Sequence, residues 1–556
     1  MRFLKMTFLL AVIFLSGSII AQEENNFEIS KSLEIYGDIM RQLNLNYADN
    51  INPGNLNQDA IDAMLKNLDP YTVYIPESKM EDYELMSKGE YGGIGAMIQK
   101  QGDWVVISEP YEGFPAQKSG LQAGDEIRVI DGDSARGKST SAVSEKLKGT
   151  PGTAVNVTIR HFNSNTDTTY TIVREKVKIP NVPYYGMVSK NIGYISLIQF
   201  SQNAGNDVKN AFLTLKKEHK NLKGVVFDLR SNGGGLLNEA VKIANIWLPK
   251  NRLIVKTKGK IKANTHTYNT QAAAIDTKIP LVILVNGNTA SASEIVSGSM
   301  QDYDRGVIIG SRTFGKGLVQ NVIPISYNSK LKVTIAKYYI PSGRCIQAIN
   351  YFDRQQGDDP SKVPDSLINA FKTKGGRTVY DGGGIEPDIK IKNQKFNQVT
   401  GDLYAQNYIF KFANRYRSRH DSISDPGLFT VSDSLFEAFK NFVGDKFDYK
   451  TETEAVLKRL RESAEREAYA SAIDSTIQIL EKEVKEEKKK DLDKNKEEIK
   501  QLLRIEIITR YYYQKGKVQS SLIDDPEIAK AIEVINNVDE YQSILKGISK
   551  TSVEEK

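Results

Sequence analysis

The stretch Gly224-Val-Val-Phe-Asp-Leu-Arg-Ser-Asn-Gly-Gly-Gly235 decides the architecture. Its first half is a short apolar run closed by polar, turn-forming residues, which is how a buried strand reads. Its second half sets three glycines directly after that strand. Glycines in this position let the backbone turn and aim N–H groups at a ligand, although a simple turn has the same composition. A helical stretch follows as far as Leu248, and the alternation recurs on both sides. The strand-like run 193–197 leads into a helix ending near Lys217, and Leu281 to Val285 leads into one ending near Met300. Strands alternating with helices predict an α/β core, assigned to residues 177–394.

Outside this core the texture changes. Residues 89–176 carry short β-rich runs, at 104–107, 126–130, 155–160 and 169–173, punctuated by Gly, Pro and Asp; they predict a compact, mostly β module. Residues 22–88 place apolar side chains at helical spacing over 27–47 and again over 56–68, where Asp69 and Pro70 end the pattern. Residues 395–556 read as an appended α-helical domain whose interleaved Lys and Glu form a solvated helix face. At the other end, Arg2 and Lys5 precede an apolar run over 8–15 and a small-residue exit over 16–21. This predicts a signal peptide, residues 1–21, cleaved after Ala21, because a membrane anchor needs about 20 apolar residues. No later segment is apolar enough to span a bilayer, so the expected mature protein is exported, periplasmic where an outer membrane exists, and has no transmembrane segment.

Composition narrows the chemistry. The chain has 556 residues, 40% of them hydrophobic, which calls for several domains with real cores. A formal charge of +6 with basic and acidic residues interleaved argues against a nucleic-acid partner. Cys345 is the single cysteine, which excludes an internal disulfide, a cysteine-based zinc site and a CxxC redox motif.

Three segments of the core could carry chemistry: Asp228 to Gly235, Asn288-Thr-Ala-Ser-Ala-Ser-Glu294, and Thr313-Phe-Gly-Lys-Gly-Leu-Val-Gln320. Ser291 with Glu294 satisfies the S-x-x-E capping box ahead of an apolar helix, and taken alone that structural reading wins. The same geometry would expose a hydroxyl at a strand-to-helix turn, where backbone N–H groups and the helix dipole suit a developing oxyanion. Gly310, Gly315 and Lys316 fit the start of a phosphate-binding loop, but Gly317 stands where a hydroxyl should meet magnesium and 318–325 reads as strand, so the nucleotide reading fails. His161, His219, His266 and His420 all lie outside the three segments. A serine nucleophile there would need Lys316 as its base, and a lysine, titrating near about 10.4 when free, serves only where burial lowers that value toward neutrality. Gln320, four residues along a strand from Lys316, would face the same way and could orient the amine without adding charge.

Together and in this order, these segments resemble the C-terminal processing peptidases, or tail-specific proteases. The resemblance extends to Leu68-Asp-Pro-Tyr-Thr-Val-Tyr-Ile75, Tyr91-Gly-Gly-Ile-Gly95 and Gly382-Gly-Gly-Ile-Glu-Pro-Asp388, and covers most of residues 27–392. It implies a multidomain α+β protein with a Clp protease/crotonase-like α/β core and an inserted PDZ domain over 89–176. It further implies Ser291 as nucleophile, Lys316 as general base and Gln320 as its orienting partner. Oxyanion donors would be the Ala292 N–H and a glycine N–H of the 233–235 turn; Gly234 is preferred, its neighbours stay open, because Gly233 stands where the family usually has proline. Gly93, Ile94 and Gly95 would hold the carboxylate of a substrate C-terminus while an edge strand pairs with the peptide.

The expected function is therefore that of an exported serine endopeptidase selecting protein substrates by their C-terminal tails, with no metal or organic cofactor. An acyl-CoA enzyme on the same core is a rival, disfavoured by export; a non-catalytic PDZ scaffold or chaperone is another. The helical C-terminal domain is left open as a cap, an adaptor-recruiting surface or a homo-oligomer contact.

Overall fold

The computed structural model describes residues 26–351, 361–392, 396–444 and 447–548. The expected signal peptide lies outside these residues. No helix among them is long and apolar enough to cross a membrane. The chain divides into two units, one built from the N-terminal segment and residues 322–333, the other from everything else.

In the first unit, a helix over 26–46 is followed by the helix Pro53–Lys66, as the apolar spacing predicts. Asn52 caps the second helix, its Oδ1 accepting the Asn55 N–H at 3.1 Å, and Pro53 occupies the first turn, where its missing donor costs nothing. Asp69 then stops the helix by a local turn, accepting the amides of Tyr71 and Thr72, each at 2.8 Å. The strand Val73–Ile75 pairs antiparallel with residues 330–332.

The second unit contains the α/β core. Its sheet runs in the order Tyr184–Ser189, Ile192–Ser196, Gly224–Asp228, Leu281–Val285, Val307–Gly310, Ile389–Lys390, parallel throughout except for the first pair. A parallel sheet must be covered on both faces. Val225, Phe227, Leu281 and Ile283 point into one apolar layer with the helices Ala204–Glu218, Leu237–Trp247 and Ala292–Asp302. Their alternates Val226, Val282, Leu284, Val307 and Ile309 point into a second layer. That layer is filled by Ile528, Ala531, Val534 and Ile535 of the helix Pro526–Asn536 and by Tyr541 and Ile544 of the helix Val538–Leu545. The end of the appended helical region is thus a structural layer of the core: Tyr541 Oη accepts the Leu281 N–H at 3.0 Å, and Ile535 packs on Gly224.

The β module of residues 96–173 is an antiparallel sheet ordered Ala96–Gln101, Trp104–Pro110, Glu126–Ile130, Ala154–Arg160, Asp167–Val173. Val155, Val157 and Ile159 alternate inward, the period-2 burial of a sheet with one face on a core. A preceding strand, Glu90–Gly93, pairs with Glu175–Lys178 and closes the module's ends together.

Of the remaining helices, Gln398–Ala405, Tyr408–Arg417, Asp433–Val443 and Lys496–Ser521 gather around Phe412, Phe436, Phe439, Leu503 and Ile507, while Glu452–Arg466 and Ala470–Lys488 pack against each other. Their charged faces carry exposed pairs such as Lys490–Glu487 and Lys489–Glu486, worth little to stability and in keeping with a solvated surface. The longest helix is interrupted at Tyr513, at φ 49° and ψ −150°, where Gln514 donates to Glu109 of the β module at 2.6 Å.

Candidate active site

Ser291 lies where the strand Leu281–Val285 passes into the helix Ala292–Asp302. Its backbone sits at φ 56° and ψ −115°, outside the ordinary left-handed well. Such a conformation costs about 1–3 kcal/mol and persists only where the surroundings enforce it. Three contacts do so. The Ala290 N–H donates to the Asn232 carbonyl at 3.0 Å, the Ser293 hydroxyl to the same carbonyl at 3.0 Å, and the Ser291 N–H to Glu294 Oε2 at 2.8 Å.

Glu294 is the hub. Its side chain is wholly buried, and beyond Ser291 it accepts the Lys316 N–H on Oε2 at 2.9 Å, the Gly315 N–H on Oε1 at 2.7 Å and the Thr313 hydroxyl on Oε1 at 2.5 Å. Burial pushes its carboxyl above the usual range, against the pull of these donors. Tyr338 makes the complementary contact from the other side: its buried hydroxyl lies between the carbonyl oxygens of Ser291, at 3.2 Å, and Lys316. Both half-buried residues, 25 positions apart in sequence, are therefore fixed to each other through their backbones.

Lys316 occupies a turn, and residues Leu318–Pro324 after it form a strand, which removes the nucleotide-loop reading on structural grounds. Gln320 lies on that strand and donates its amide to Thr334 Oγ1 at 3.2 Å. None of the four histidines joins this cluster: His161 pairs with Asp125 in the β module at 3.0 Å, and His420 stacks on Tyr416.

The glycine turn meets the serine turn directly. A Cβ on Gly234, whose φ is 96°, would stand 2.8 Å from Ser291 Cβ, Ala290 O and Ala292 N. The Ala292 N–H, at the start of its helix, makes no hydrogen bond among the described residues, and neither does that of Gly233. The Gly234 N–H donates to Asn232 Oδ1 at 2.9 Å, so the preferred donor of the sequence reading is engaged in this conformation and its neighbour is not. Asn232 itself is buried and donates to the Leu197 carbonyl at 2.7 Å.

In the β module, Gly93 ends the strand Glu90–Gly93, and Ile94 and Gly95 lead from it into the strand Ala96–Gln101, an edge whose outer side pairs with no strand among the described residues. The helix Thr140–Leu147 packs beside it. Ala116 donates to the Ile94 carbonyl at 2.7 Å and Tyr111 to that of Gly95 at 2.9 Å, while the amides of Ile94 and Gly95 have no backbone partner among the described residues. Gly95 has φ 73°, and a Cβ there would meet Phe114 Cβ at 2.4 Å.

A strained serine turn thus lies beside a helix-terminal amide with no partner among the described residues, on an α/β core that carries an antiparallel β module. The peptidase family S41 profile matches residues 191–351, the PDZ domain profile residues 84–160, and that of a probable PDZ-protease C-terminal helical domain residues 399–535. The chain is 35% identical over 352 residues to a carboxy-terminal-processing protease of Bartonella bacilliformis, covering 62% of this chain and 80% of that one. It is 34% identical over 423 residues to a probable CtpA-like serine protease of Staphylococcus aureus, covering 70% and 82%. A solved photosystem II D1 C-terminal processing protease shares 28% identity over 64% of this chain and 86% of its own, with a TM-score of 0.35. The chain belongs to peptidase family S41: it is a C-terminal processing serine protease with a PDZ domain.

Sequence reasoning singled out Ser291, Lys316, Gln320, Gly234 and Ala292 but took Glu294 only for a helix cap. Tyr338 and Asn232 were not recognised, since a tyrosine in a strand and an asparagine in a turn carry no distinguishing pattern.

Proposed function

We propose that this protein is an exported endopeptidase that captures unfolded or processed proteins by a free, apolar C-terminus and cleaves them with a Ser291/Lys316 dyad. The observation that carries the reading is the shared Glu294 Oε2, which ties the strained serine to the lysine turn. Neutral Lys316 Nζ takes the Ser291 Oγ proton as Oγ bonds to the substrate carbonyl carbon, and Gln320 orients the amine. The oxyanion is met by the Ala292 N–H and an amide of the 233–235 turn, with Gly233 the donor while Asn232 holds Gly234. The C–N bond breaks as Lys316 returns the proton to the leaving amine, and water then hydrolyses the acyl-enzyme by the same route.

Tail selection follows from the amides of Ile94 and Gly95, with Gly93, facing a terminal carboxylate, and from the open edge of Ala96–Gln101 adding a substrate strand. The basic, apolar and small-residue order of residues 1–21 supports export to the periplasm. The test is cleavage of unfolded model proteins that differ only in apolar or charged C-terminal tails. Cleavage of the apolar-tailed substrate by wild type, lost in Ser291→Ala and Lys316→Ala, is expected; equal cleavage by Ser291→Ala overturns the assignment.

A further inference from the structure

The loop that carries the glycine turn is gripped from outside the core's own sequence. Arg230, two residues before Asn232, donates through Nε and Nη2 to Asp228, at 3.0 and 2.6 Å. Its Nη1 is directed away, to Asp525 Oδ2 at 2.6 Å and to Glu527 Oε2. These two carboxylates stand nearly 300 residues later in the chain, at the start of the helix Pro526–Asn536. Asp228 is further held by the Tyr194 hydroxyl at 2.8 Å, and all three carboxylates are largely buried.

Three carboxylates around one guanidinium exceed what neutralising Arg230 requires. Burial works against the arginine's charge, but Asp228, Asp525 and Glu527 outweigh it and raise its pKa. A structural ion pair needs one partner; three partners on two sides fix a direction as well as a charge. The direction matters because Ser231 follows immediately at φ 57°, its N–H bonded to Asn286 Oδ1 at 2.9 Å, and Asn232 then supports both the Gly234 amide and the serine turn.

We infer that Asp525 and Glu527 are positioning residues of the protease site: through Arg230 they hold the 231–235 loop in register with Ser291, so the C-terminal helical region completes the active site. This rests on the Ser291 assignment and adds to it a role for residues of the C-terminal helical region. Asp525 has two separable tasks, since Oδ1 caps its helix, accepting the Glu527 and Ile528 amides at 2.9 and 3.1 Å, while Oδ2 meets Arg230. Asp525→Asn keeps the cap and removes the charge.

The test uses the full chain carrying Asp525→Asn with Glu527→Gln, beside Glu540→Gln, a control in the same helical layer whose carboxylate pairs with Lys530 at 3.1 Å. The expected result is a kcat about tenfold lower with KM within about twofold, and no further loss when Arg230→Gln is added to the double variant compared with Arg230→Gln alone. Amide hydrogen exchange over 229–236 is expected to be faster in the double variant and unchanged in Glu540→Gln, a readout that does not depend on turnover. If the double variant is lost in folding, single Asp525→Asn and the charge-retaining Asp525→Glu replace it, with only the latter keeping wild-type kcat and exchange. Unchanged kcat and exchange in the folded double variant, or a kcat loss that adds fully to that of Arg230→Gln, overturns the inference. Persistent cleavage by Ser291→Ala would instead sink the dyad, leaving the exchange result to decide the positioning role.

Discussion

The backbone amides of Ser291 and Lys316 end on the same atom, Oε2 of Glu294, at 2.8 and 2.9 Å. One buried carboxylate therefore sets the distance between the strained serine turn and the lysine turn. Glu294→Ala would leave four donors without their acceptor, two buried and two half-buried, at about 1–3 kcal/mol for each buried group left unpaired. We expect loss of at least about 3 kcal/mol in denaturant unfolding together with loss of cleavage.

The carboxyl of Glu294 also gives a pH signature. Burial raises its pKa above the ordinary 4.5, so folding shifts the group toward its neutral form relative to the unfolded chain. The corresponding stability is fully present below the unfolded-state value and is lost as pH rises through the folded-state value. The stability of wild type relative to Glu294→Gln should therefore decline as pH is raised upward from 4.5. A difference independent of pH, in urea unfolding across that range, would contradict the assignment.

Tyr338 should behave as a second clamp. Tyr338→Phe removes a hydroxyl that contacts the carbonyls of Ser291 and Lys316 while keeping the ring. The expected outcome is a stability loss of about 1–2 kcal/mol and a lower kcat at nearly unchanged KM.

The second layer of the core predicts where a distant truncation acts. Ile535 is 3% exposed and packs against Gly224 of the central sheet. Ile535→Ala should destabilise the protease core by about 2–5 kcal/mol, and its unfolding should coincide with that of the tryptophan-containing layer around Trp247. Independent melting of the two would show that the C-terminal helices are a separate domain.

Gly95 offers a test of the proposed tail selection. Gly95→Ala adds a methyl group 2.4 Å from Phe114 Cβ at a φ of 73°, so the loop must shift. Affinity of the full chain for an apolar C-terminal peptide, measured by fluorescence anisotropy, should fall about tenfold or more, while amidation of the peptide's terminal carboxylate should weaken wild-type binding similarly.

Much of this was legible in the sequence because short-range rules carried it. The 224–235 stretch gave a strand and its turn, Asn52 and Pro53 marked a helix start, and Ser291 with Glu294 marked another. The α/β core, the compact β module and the helical tail follow from periodicity and punctuation, whereas the PDZ identity of the β module comes from the family resemblance. What escaped depends on contacts between segments far apart in the chain. Nothing local distinguishes Ile528 and Ile535 from the apolar face of any amphipathic helix, so their role as a layer of the core could not be read. The same holds for Tyr338 and for Asp525: each acts on a backbone or a guanidinium that the fold brings to it. Glu294 carries a visible capping pattern, but a capping residue and a clamp between the serine and lysine turns look alike until the second turn is in place.

The most direct measurement is mass spectrometry of the full chain after exposure to a serine-reactive fluorophosphonate, in wild type and in Lys316→Ala. The account predicts one adduct, on the peptide containing Ser291, and its near-complete loss when Lys316 is replaced. An adduct on another serine, or labelling of Ser291 that is indifferent to Lys316, would contradict it.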